Sequence, residues 1–249
     1  MASYFKEVTA LGLYILYLSN MNSLVFNLGN LHTGDLLLAL PCITGLQQQG
    51  YEVGVFMMER YYRPVKHLVG VSNLTVTGKG LHNIRPLIGP DKHQTQSWID
   101  GLQRKGYEGI TVPLPRITGK SGTVLLQPWC EDRGKMFPVR LWNQLARTAR
   151  SLGYEVMVGG PAVYATQASR ITEAANFCGK DTGKWADTVA KAEVVVSVDS
   201  GAAHLADALG KKILTIFSTT SANKWAPFWN SAVANKNNAT QKLEDLLNA

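Results

Sequence analysis

The chain has 249 residues, of which 45% are hydrophobic and 17% are charged, and its formal net charge is +7. These proportions are typical of a globular protein and exclude a disordered or fibrous chain, while the positive charge favours an anionic partner. The three cysteines are odd in number and widely separated, so they indicate neither a disulfide framework nor a metal site. The simplest setting is the reducing cytoplasm.

Residues 1–20 contain the apolar run "TALGLYILYL". This run is shorter than the ~20 apolar residues that a helix needs to cross a bilayer. We therefore predict that residues 1–20 form an amino-terminal extension rather than a membrane anchor. No integral membrane segment is expected, and a peripheral contact with the inner face of a membrane is compatible with this interpretation.

The amino-terminal half alternates short apolar strands with amphipathic helices, beginning with "NSLVFNL". The strands predicted in this half, in chain order, are Leu24–Leu28, Tyr51–Met57, Leu74–Val76 and Gly109–Val112, and the helices are Asp35–Gln48 and Gln94–Lys105. Alternation of this kind predicts a parallel sheet covered by helices on both faces.

The carboxyl-terminal half repeats the alternation after a stretch, "PLPRITGKSG" from Pro113 to Gly122, that has the composition of a linker. The strands predicted here are Val124–Gln127, Glu155–Val158, Val194–Val198 and Ile213–Phe217, and the helices are Leu141–Leu152, Ala162–Ala174, Trp185–Ala190 and Ala202–Leu209.

This pattern predicts two α/β domains that face each other across a cleft. We assign residues 21–116 to the first and residues 120–230 to the second, and we expect a helix in residues 231–249 that packs back on the first domain.

The segment "DSGAAHLADALG" follows the apolar strand Val194–Val198 and carries the most specific chemical signal. Ligands of parallel α/β sheets bind beyond the carboxyl ends of the strands, which is where Asp199, Ser200 and Gly201 fall. Gly201 allows close approach of a ligand, and the following helix start favours a phosphate. His204 lies one turn later. The alternative interpretation is a simple helix cap beside a packed histidine.

The spacing of this segment resembles the carboxyl-terminal signature of glycosyltransferase family 9, the bacterial heptosyltransferases. Three further stretches resemble the same family in the same order: "GNLHTGDLLLALPCITGLQQQGYEV", "GKMFPVRLWNQLARTARSLGYEVMVGGP" and "KKILTIFSTTSANKWAPF". The resemblance implies the GT-B architecture, two Rossmann-like domains with parallel sheets around a central cleft. It also implies an inverting transfer of a sugar from a nucleoside-diphosphate donor, such as ADP-heptose, to an acceptor hydroxyl.

The resemblance places the general base at Asp35, in "TGDLL"; the alternative role of Asp35 is a helix N-cap. Stabilisation of the leaving diphosphate falls to Lys135, with Arg133 as a second candidate, together with Ser200–Gly201 and His204. The remaining donor contacts are expected at Asp199 and Thr220. No Asp-x-Asp pair occurs in the chain, so we expect neither a metal ion nor another cofactor.

The nucleoside is expected near Gly159, Gly160 and Trp129. The Trp129 ring either stacks on a purine base or is packed in the core. The first loop has Asn27 where the family often has arginine, and Gln127-Pro128-Trp129 replaces a His-Pro-Gly type of loop. The predicted partners are a nucleotide sugar and an acceptor, either a lipopolysaccharide or other surface saccharide or a hydroxylated base in DNA. The alternative to an enzyme is a non-catalytic module that binds a nucleotide sugar.

Overall fold

The computed structural model describes residues 23–29, 31–70, 72–73, 82–84, 86, 88–89, 91–107, 121–179, 182–229 and 231–249. The predicted extension, residues 1–20, lies outside these residues. The strands predicted at Leu74–Val76 and Gly109–Val112 and most of the linker Pro113–Gly122 lie outside them as well. Within the described residues, every helix is too short or too polar to cross a bilayer.

The first sheet is parallel and has the strand order β3-β2-β1-β4. Its strands are β1 (Ser23–Gly29), β2 (Glu52–Met57), β3 (Ser72–Asn73) and β4 (His82–Ile84). The helices around it are α1 (Thr33–Gln48), α2 (Glu59–Tyr62), α3 (Lys66–Val69) and α4 (Gln94–Gln103). The two predicted strands and two predicted helices that fall on described residues are confirmed to within two residues at each end.

The second sheet is also parallel, with the order β10-β9-β8-β5-β6-β7. Its strands are β5 (Thr123–Gln127), β6 (Glu155–Val158), β7 (Ala175–Asn176), β8 (Val194–Val198), β9 (Lys212–Ile216) and β10 (Ser231–Ala234). The helices are α5 (Val139–Ser151), α6 (Ala165–Ala168), α7 (Thr182–Lys191), α8 (Gly201–Ala208), α9 (Ala222–Trp225) and α10 (Ala239–Asn248).

The long helix predicted over Ala162–Ala174 is wrong for most of its length. A 3₁₀ turn leads into the single helical turn α6, and the chain then bends toward β7. The side chain of Asn143 holds this bend, because its amide donates to the Arg170 carbonyl at 2.9 Å and its oxygen accepts from the Thr172 N–H at 2.9 Å. These bonds take the backbone groups that a longer helix would have used.

The expectation that residues 231–249 pack back on the first domain is also wrong. Residues 231–234 form the edge strand β10, and α10 packs on α5, β9 and β10 of the second domain. Leu243 and Leu247 are buried in that packing, and the Tyr154 hydroxyl donates to the Leu247 carbonyl at 3.3 Å. The apolar stripe of α10 is therefore covered within the second domain.

Two apolar cores hold together the part of the chain that the structure describes. One lies on the α5 and α10 face of the second sheet. The other is continuous from the first sheet through α1 to α8 and the opposite face of the second sheet, and it includes Phe26, Leu46, Val195 and Leu205. Because α1 packs directly on α8, the carboxyl ends of the central strands of both sheets open into the same cleft.

Candidate functional site

A cavity of about 470 Å³ lies in this cleft. One wall consists of His32, Thr33 and Gly34, at the start of α1, with Tyr61 from α2. The turns that follow β5, β6 and β8 form the other wall, together with Trp185 of α7. A volume of this size is within the range of small-molecule sites. The cavity draws on both domains, so a bound ligand would contact both.

The turn after β8 gives α8 its amino-terminal cap. The Ser200 hydroxyl accepts a hydrogen bond from the Ala202 N–H at 3.3 Å and lies 3.0 Å from the Ser197 hydroxyl. A Cβ atom placed on Gly201 would lie 3.8 Å from the Gly34 backbone nitrogen. The first turns of α1 and α8 therefore meet at two glycines beside the cavity, and each brings the positive end of a helix dipole to it.

Lys135 lies at the end of a 3₁₀ turn, Arg133–Lys135, rather than at the start of a long helix. Its ammonium nitrogen is 2.8 Å from Oδ2 of Asp199, and the Thr220 hydroxyl donates to the same oxygen at 2.7 Å. Asp199 is only 3% exposed, and both Asp199 and Lys135 line the cavity. Asp199 therefore holds Lys135 in place, and Thr220 holds the Asp199 carboxylate. Contacts of Asp199 and Thr220 with a donor stay predictions.

Arg133 occupies the same 3₁₀ turn, and its side chain is exposed. The carboxylate of Asp132 accepts from the Gly134 N–H at 2.9 Å and fixes this turn. The Ser218 hydroxyl also donates to the Gly134 carbonyl, at 3.0 Å, which joins the turn to the loop after β9. Asp132 and Lys135 line the cavity on either side of Arg133.

His204, which was predicted to help stabilise the diphosphate, is not among the residues that line the cavity. It is 6% exposed, and its Nε2 atom lies 3.9 Å from Oδ1 of Asp199. The pKa of His204 is lowered to about 4, mainly by burial; the Asp199 carboxylate opposes this shift, and His93 and Lys135 add to it. His204 is therefore neutral at pH 7 and lies behind the Ser200–Gly201 turn, against Gly34.

Asp35 stands at the third position of α1 and His32 is the N-cap residue, so the alternative interpretation of Asp35 as the N-cap is wrong. Its role as the general base stays a prediction. The Oδ2 atom of Asp35 accepts from the His32 N–H at 2.9 Å, as in a capping box. Burial raises the pKa of Asp35, while the His32 N–H bond and the charge of Lys135 oppose that rise. A partly desolvated carboxylate thus lies directly after Gly34.

The predicted nucleoside contacts lie together on the side of the cavity that follows β6. The Trp129 ring stacks on Tyr164, with centroids 5.2 Å apart and the rings 6° from parallel. A Cβ atom on Gly160 would lie 2.8 Å from Cε3 of Trp129, so the glycine is what allows the indole to lie over this turn. Trp129 is half-buried and lines the cavity. It is therefore available to a ligand.

Sequence reasoning missed several residues of this site. His32 and Tyr61 stack on each other with centroids 4.5 Å apart, and the His32 ring lies 3.6 Å from the Glu131 carboxylate across the cleft. Gln127 and Trp185 also line the cavity, linked by a 3.2 Å hydrogen bond. Gln127 carried one signal in the sequence, since it ends a buried strand with a polar side chain. Within the described residues, no three His, Cys, Asp or Glu side chains are arranged to hold a metal ion.

Comparison with known families gives one match. The sequence model described as glycosyltransferase family 9 (heptosyltransferase) matches residues 43–247, which is most of the chain. The match begins at Ile43, so Asp35 precedes it. No curated protein matches the chain in a sequence comparison.

Solved structures share the fold at low sequence identity. A glycosyl transferase family 9 protein from Veillonella parvula DSM 2008 superposes with a TM-score of 0.72 at 12% identity, covering 91% of this chain and 97% of its own. The E. coli heptosyltransferase WaaC with ADP superposes with a TM-score of 0.70 at 15% identity, covering 90% of this chain and 99% of its own. The E. coli ADP-heptose lps heptosyltransferase II superposes with a TM-score of 0.69 at 14% identity, covering 91% of this chain and 98% of its own. The α/β architecture with parallel sheets therefore matches that of GT-B heptosyltransferases.

Proposed function

The chain belongs to glycosyltransferase family 9 and is a glycosyltransferase, and we propose that it transfers a sugar from an ADP-heptose-like donor to a saccharide hydroxyl. The acceptor is a lipopolysaccharide or a related surface saccharide, and the reaction takes place in the cytoplasm. It inverts the anomeric carbon and uses no metal ion. The observation that carries this proposal is the meeting of Lys135 and two helix starts at one cavity.

The diphosphate of the donor binds beside the Ser200–Gly201 turn. Backbone N–H groups at the start of α8 lack partners within the helix and favour an anion, and the start of α1 adds a second set from the other side. The Lys135 ammonium supplies full positive charge at the same place. The E. coli WaaC structure contains ADP, which supports an ADP-linked donor for this chain.

The nucleoside lies on the Trp129 side of the cavity. The outer face of the Trp129–Tyr164 stack offers an aromatic platform on which a purine base can stack. Gly160 and Pro161 line the same part of the cavity. The donor therefore extends from the turn after β6, across β5, to the turn after β8.

The chemical step needs a base within reach of the acceptor hydroxyl. Asp35 removes the proton from the acceptor hydroxyl, and the acceptor oxygen then forms a bond with the anomeric carbon. The bond from that carbon to the diphosphate oxygen breaks, and its electron pair leaves with the nucleoside diphosphate. Attack on the face of the anomeric carbon opposite the departing diphosphate inverts the anomeric centre.

Fixed positive groups replace a metal ion in this proposal. Charge develops on the leaving diphosphate, and donors already held in place stabilise it without reorganisation. The bond to Asp199 holds Lys135 in place, and packing of α1 on α8 fixes the two helix starts. His204 is neutral and contributes shape and a hydrogen-bond donor rather than charge.

Basic residues follow β2 on the side of the cavity where the acceptor is proposed to bind. Arg60, Arg63 and Lys66 are exposed on the segment that follows β2, and Tyr61 of the same segment lines the cavity. This charge supports an anionic acceptor, such as a phosphorylated or carboxylated saccharide. DNA with a hydroxylated base would meet the same charges, and salt distinguishes the two, because multiple phosphate contacts make DNA binding steeply salt-dependent.

The experiment that tests the function is a binding panel followed by an assay of transfer. A ligand that binds only the native state raises thermal stability according to its concentration relative to Kd. We expect ADP to raise the unfolding midpoint more than GDP, UDP or CDP, and ADP to be released from an ADP-linked heptose only when a saccharide acceptor is added. An equal response to all four nucleotides, or none, would contradict the donor assignment. Transfer only to hydroxylated DNA, abolished by moderate salt, would contradict the acceptor.

A further inference from the structure

Gln127 is a buried polar residue that the catalytic step above does not use. It is the last residue of β5, its side chain is 2% exposed, and it lines the cavity. Its amide nitrogen Nε2 is buried and has no hydrogen-bond partner among the described residues. A buried N–H donor without a partner destabilises the folded protein. A ligand in the cavity that Gln127 lines would supply the missing acceptor.

The orientation of the Gln127 amide is fixed by Trp185. The indole nitrogen of Trp185 lies 3.2 Å from the side-chain amide of Gln127. An indole N–H can only donate, so the atom that it meets must be the amide oxygen Oε1. The nitrogen Nε2 therefore points away from Trp185, and flipping the amide would place two donors against each other.

A glycine keeps open the space that this amide occupies. A Cβ atom placed on Gly159 would lie 2.5 Å from Nε2 of Gln127 and 3.5 Å from a methyl group of Leu125. Any other residue at this position would displace the amide. The Trp185 indole N–H thus donates to one side of the Gln127 amide, and the missing side chain of Gly159 leaves space on the other. Together they define where Nε2 lies.

The position of Gln127 in the sheet identifies the part of the donor that it meets. Strand β5 lies between β8 and β6. The turn after β8 holds Ser200 and Gly201, where the diphosphate is proposed to bind, and the turn after β6 holds Gly160, near the proposed nucleoside. Gln127 follows the strand between them, and the pentose is the part of a nucleotide between its diphosphate and its base.

We propose that the Gln127 amide donates a hydrogen bond to a hydroxyl oxygen of the donor's pentose and selects ribose over deoxyribose. The inference rests on the proposed function, because it assumes that the cavity binds a nucleoside diphosphate. Trp185 acts as a positioning residue that orients the amide, and Gly159 provides its space.

The test compares the affinities of the full chain for ADP, 2′-deoxy-ADP and 3′-deoxy-ADP by calorimetry. A neutral hydrogen bond of this kind corresponds to about a tenfold change in Kd. We expect the wild-type chain to bind ADP about tenfold more tightly than one of the deoxy analogues. Gln127→Met, which keeps the length of the side chain and removes its donors, should weaken ADP binding by the same factor and abolish the preference.

A double-mutant cycle keeps the inference testable if Gln127→Met does not fold. Gly159→Ala should weaken ADP binding in the wild-type chain, because its methyl group displaces Nε2. In a Gln127→Ser background the amide is absent, so Gly159→Ala should have little further effect. Trp185→Phe, which removes only the indole N–H, should reduce the preference for ribose while ADP still binds. Additive losses in the cycle would contradict the assigned contact.

The outcomes separate this inference from the function on which it rests. If Gln127→Met binds ADP as tightly as the wild-type chain does, while Gly201→Val does not bind ADP, the inference is overturned and the donor site stands. Equal binding of ADP and both deoxy analogues by the wild-type chain would also overturn it. Failure of the wild-type chain to bind ADP would contradict the proposed donor, and the inference with it.

Discussion

The ammonium group of Lys135 lies 2.8 Å from the carboxylate of Asp199, which is almost fully buried. The two residues are 64 positions apart and come from turns that follow neighbouring strands of the second sheet. Thr220 donates a second contact to the same carboxylate oxygen. The buried acid therefore holds a lysine at the edge of the cavity, where its charge can meet a diphosphate.

Lys135→Met should weaken ADP binding, because the charge on the cavity wall is removed. A hydrogen bond to a charged group contributes about 1.5–3 kcal/mol, so we expect Kd to rise by about one to two orders of magnitude. Calorimetric titration with ADP measures this change.

Lys135→Arg is the matched control, since it keeps a positive group beside Asp199. It should fold normally and retain a larger share of ADP affinity than Lys135→Met. Removing Lys135 also leaves Asp199 buried without its charge partner, so the thermal midpoint of Lys135→Met should fall below that of Lys135→Arg. Equal ADP affinity in all three proteins would exclude Lys135 from the donor site.

Asp35→Asn should separate catalysis from binding. The amide oxygen of Asn can still accept the His32 N–H bond, so the first turn of α1 should form as before. A general base contributes about 10²–10⁴-fold to rate, and we therefore expect transfer to fall at least about a hundredfold with nearly unchanged ADP affinity. The measurements are the transfer rate with saturating acceptor and the Kd of ADP. Near-normal transfer by a folded Asp35→Asn protein would leave Asp35 with a capping role only.

Trp129→Leu should weaken the binding of nucleotides but not of pyrophosphate. Stacking of a base on an aromatic side chain contributes about 1–3 kcal/mol, which predicts an increase in the Kd of ADP of at least about fivefold. Pyrophosphate has no base and should bind the variant and the wild-type chain alike. A parallel loss of affinity for both ligands would mean that Trp129 shapes the turn before Lys135 rather than contacting the nucleoside.

Much of this arrangement could be predicted from sequence because it depends on local patterns. The apolar run Val194–Val198 ends at Asp-Ser-Gly, and a strand, a turn and a helix follow from that order alone. The edge strands β7 and β10 were missed, because they have two and four residues and only weak β-forming character. Each forms a strand by pairing with a neighbour, β7 with β6 and β10 with β9, and local sequence does not show that contact.

The contacts that define the site could not be predicted in the same way. The partner of Gln127 is Trp185, 58 residues later, and the orientation of the amide follows from that contact. The neutrality of His204 comes from burial between α1 and α8, which no local pattern encodes. Sequence patterns indicated which residue types end each strand, whereas packing between distant elements decided which of them reach the cavity.

Acid should destabilise the protein through His204. Burial lowers the pKa of His204 to about 4 from an ordinary value of 6.5, so the unfolded chain binds this proton more readily than the native chain between those values. The free energy of unfolding should therefore fall as the pH decreases from about 6.5 toward 4. The slope of this decrease corresponds to the uptake of up to about one proton on unfolding. The groups that act on His204 are Asp199, His93 and Lys135.

Urea denaturation of the wild-type chain and of His204→Gln at several pH values between 4 and 7 measures this effect. Glutamine does not titrate, so the variant should lose less stability on acidification than the wild-type chain. Parallel curves for the two proteins would show that His204 does not contribute to the acid sensitivity.

The central claim is that the diphosphate binds where Gly201 of α8 meets Gly34 of α1, and ADP binding to Gly201→Val tests it most directly. A single methyl group on Gly201 would lie 3.8 Å from the Gly34 nitrogen, and the larger side chain of valine extends into the space proposed for the phosphate. We predict a folded protein, verified by its circular dichroism and cooperative unfolding, whose affinity for ADP falls by at least about two orders of magnitude, the equivalent of 3 kcal/mol. A folded Gly201→Val protein that binds ADP with the wild-type Kd would contradict the account, because the diphosphate would then lie elsewhere.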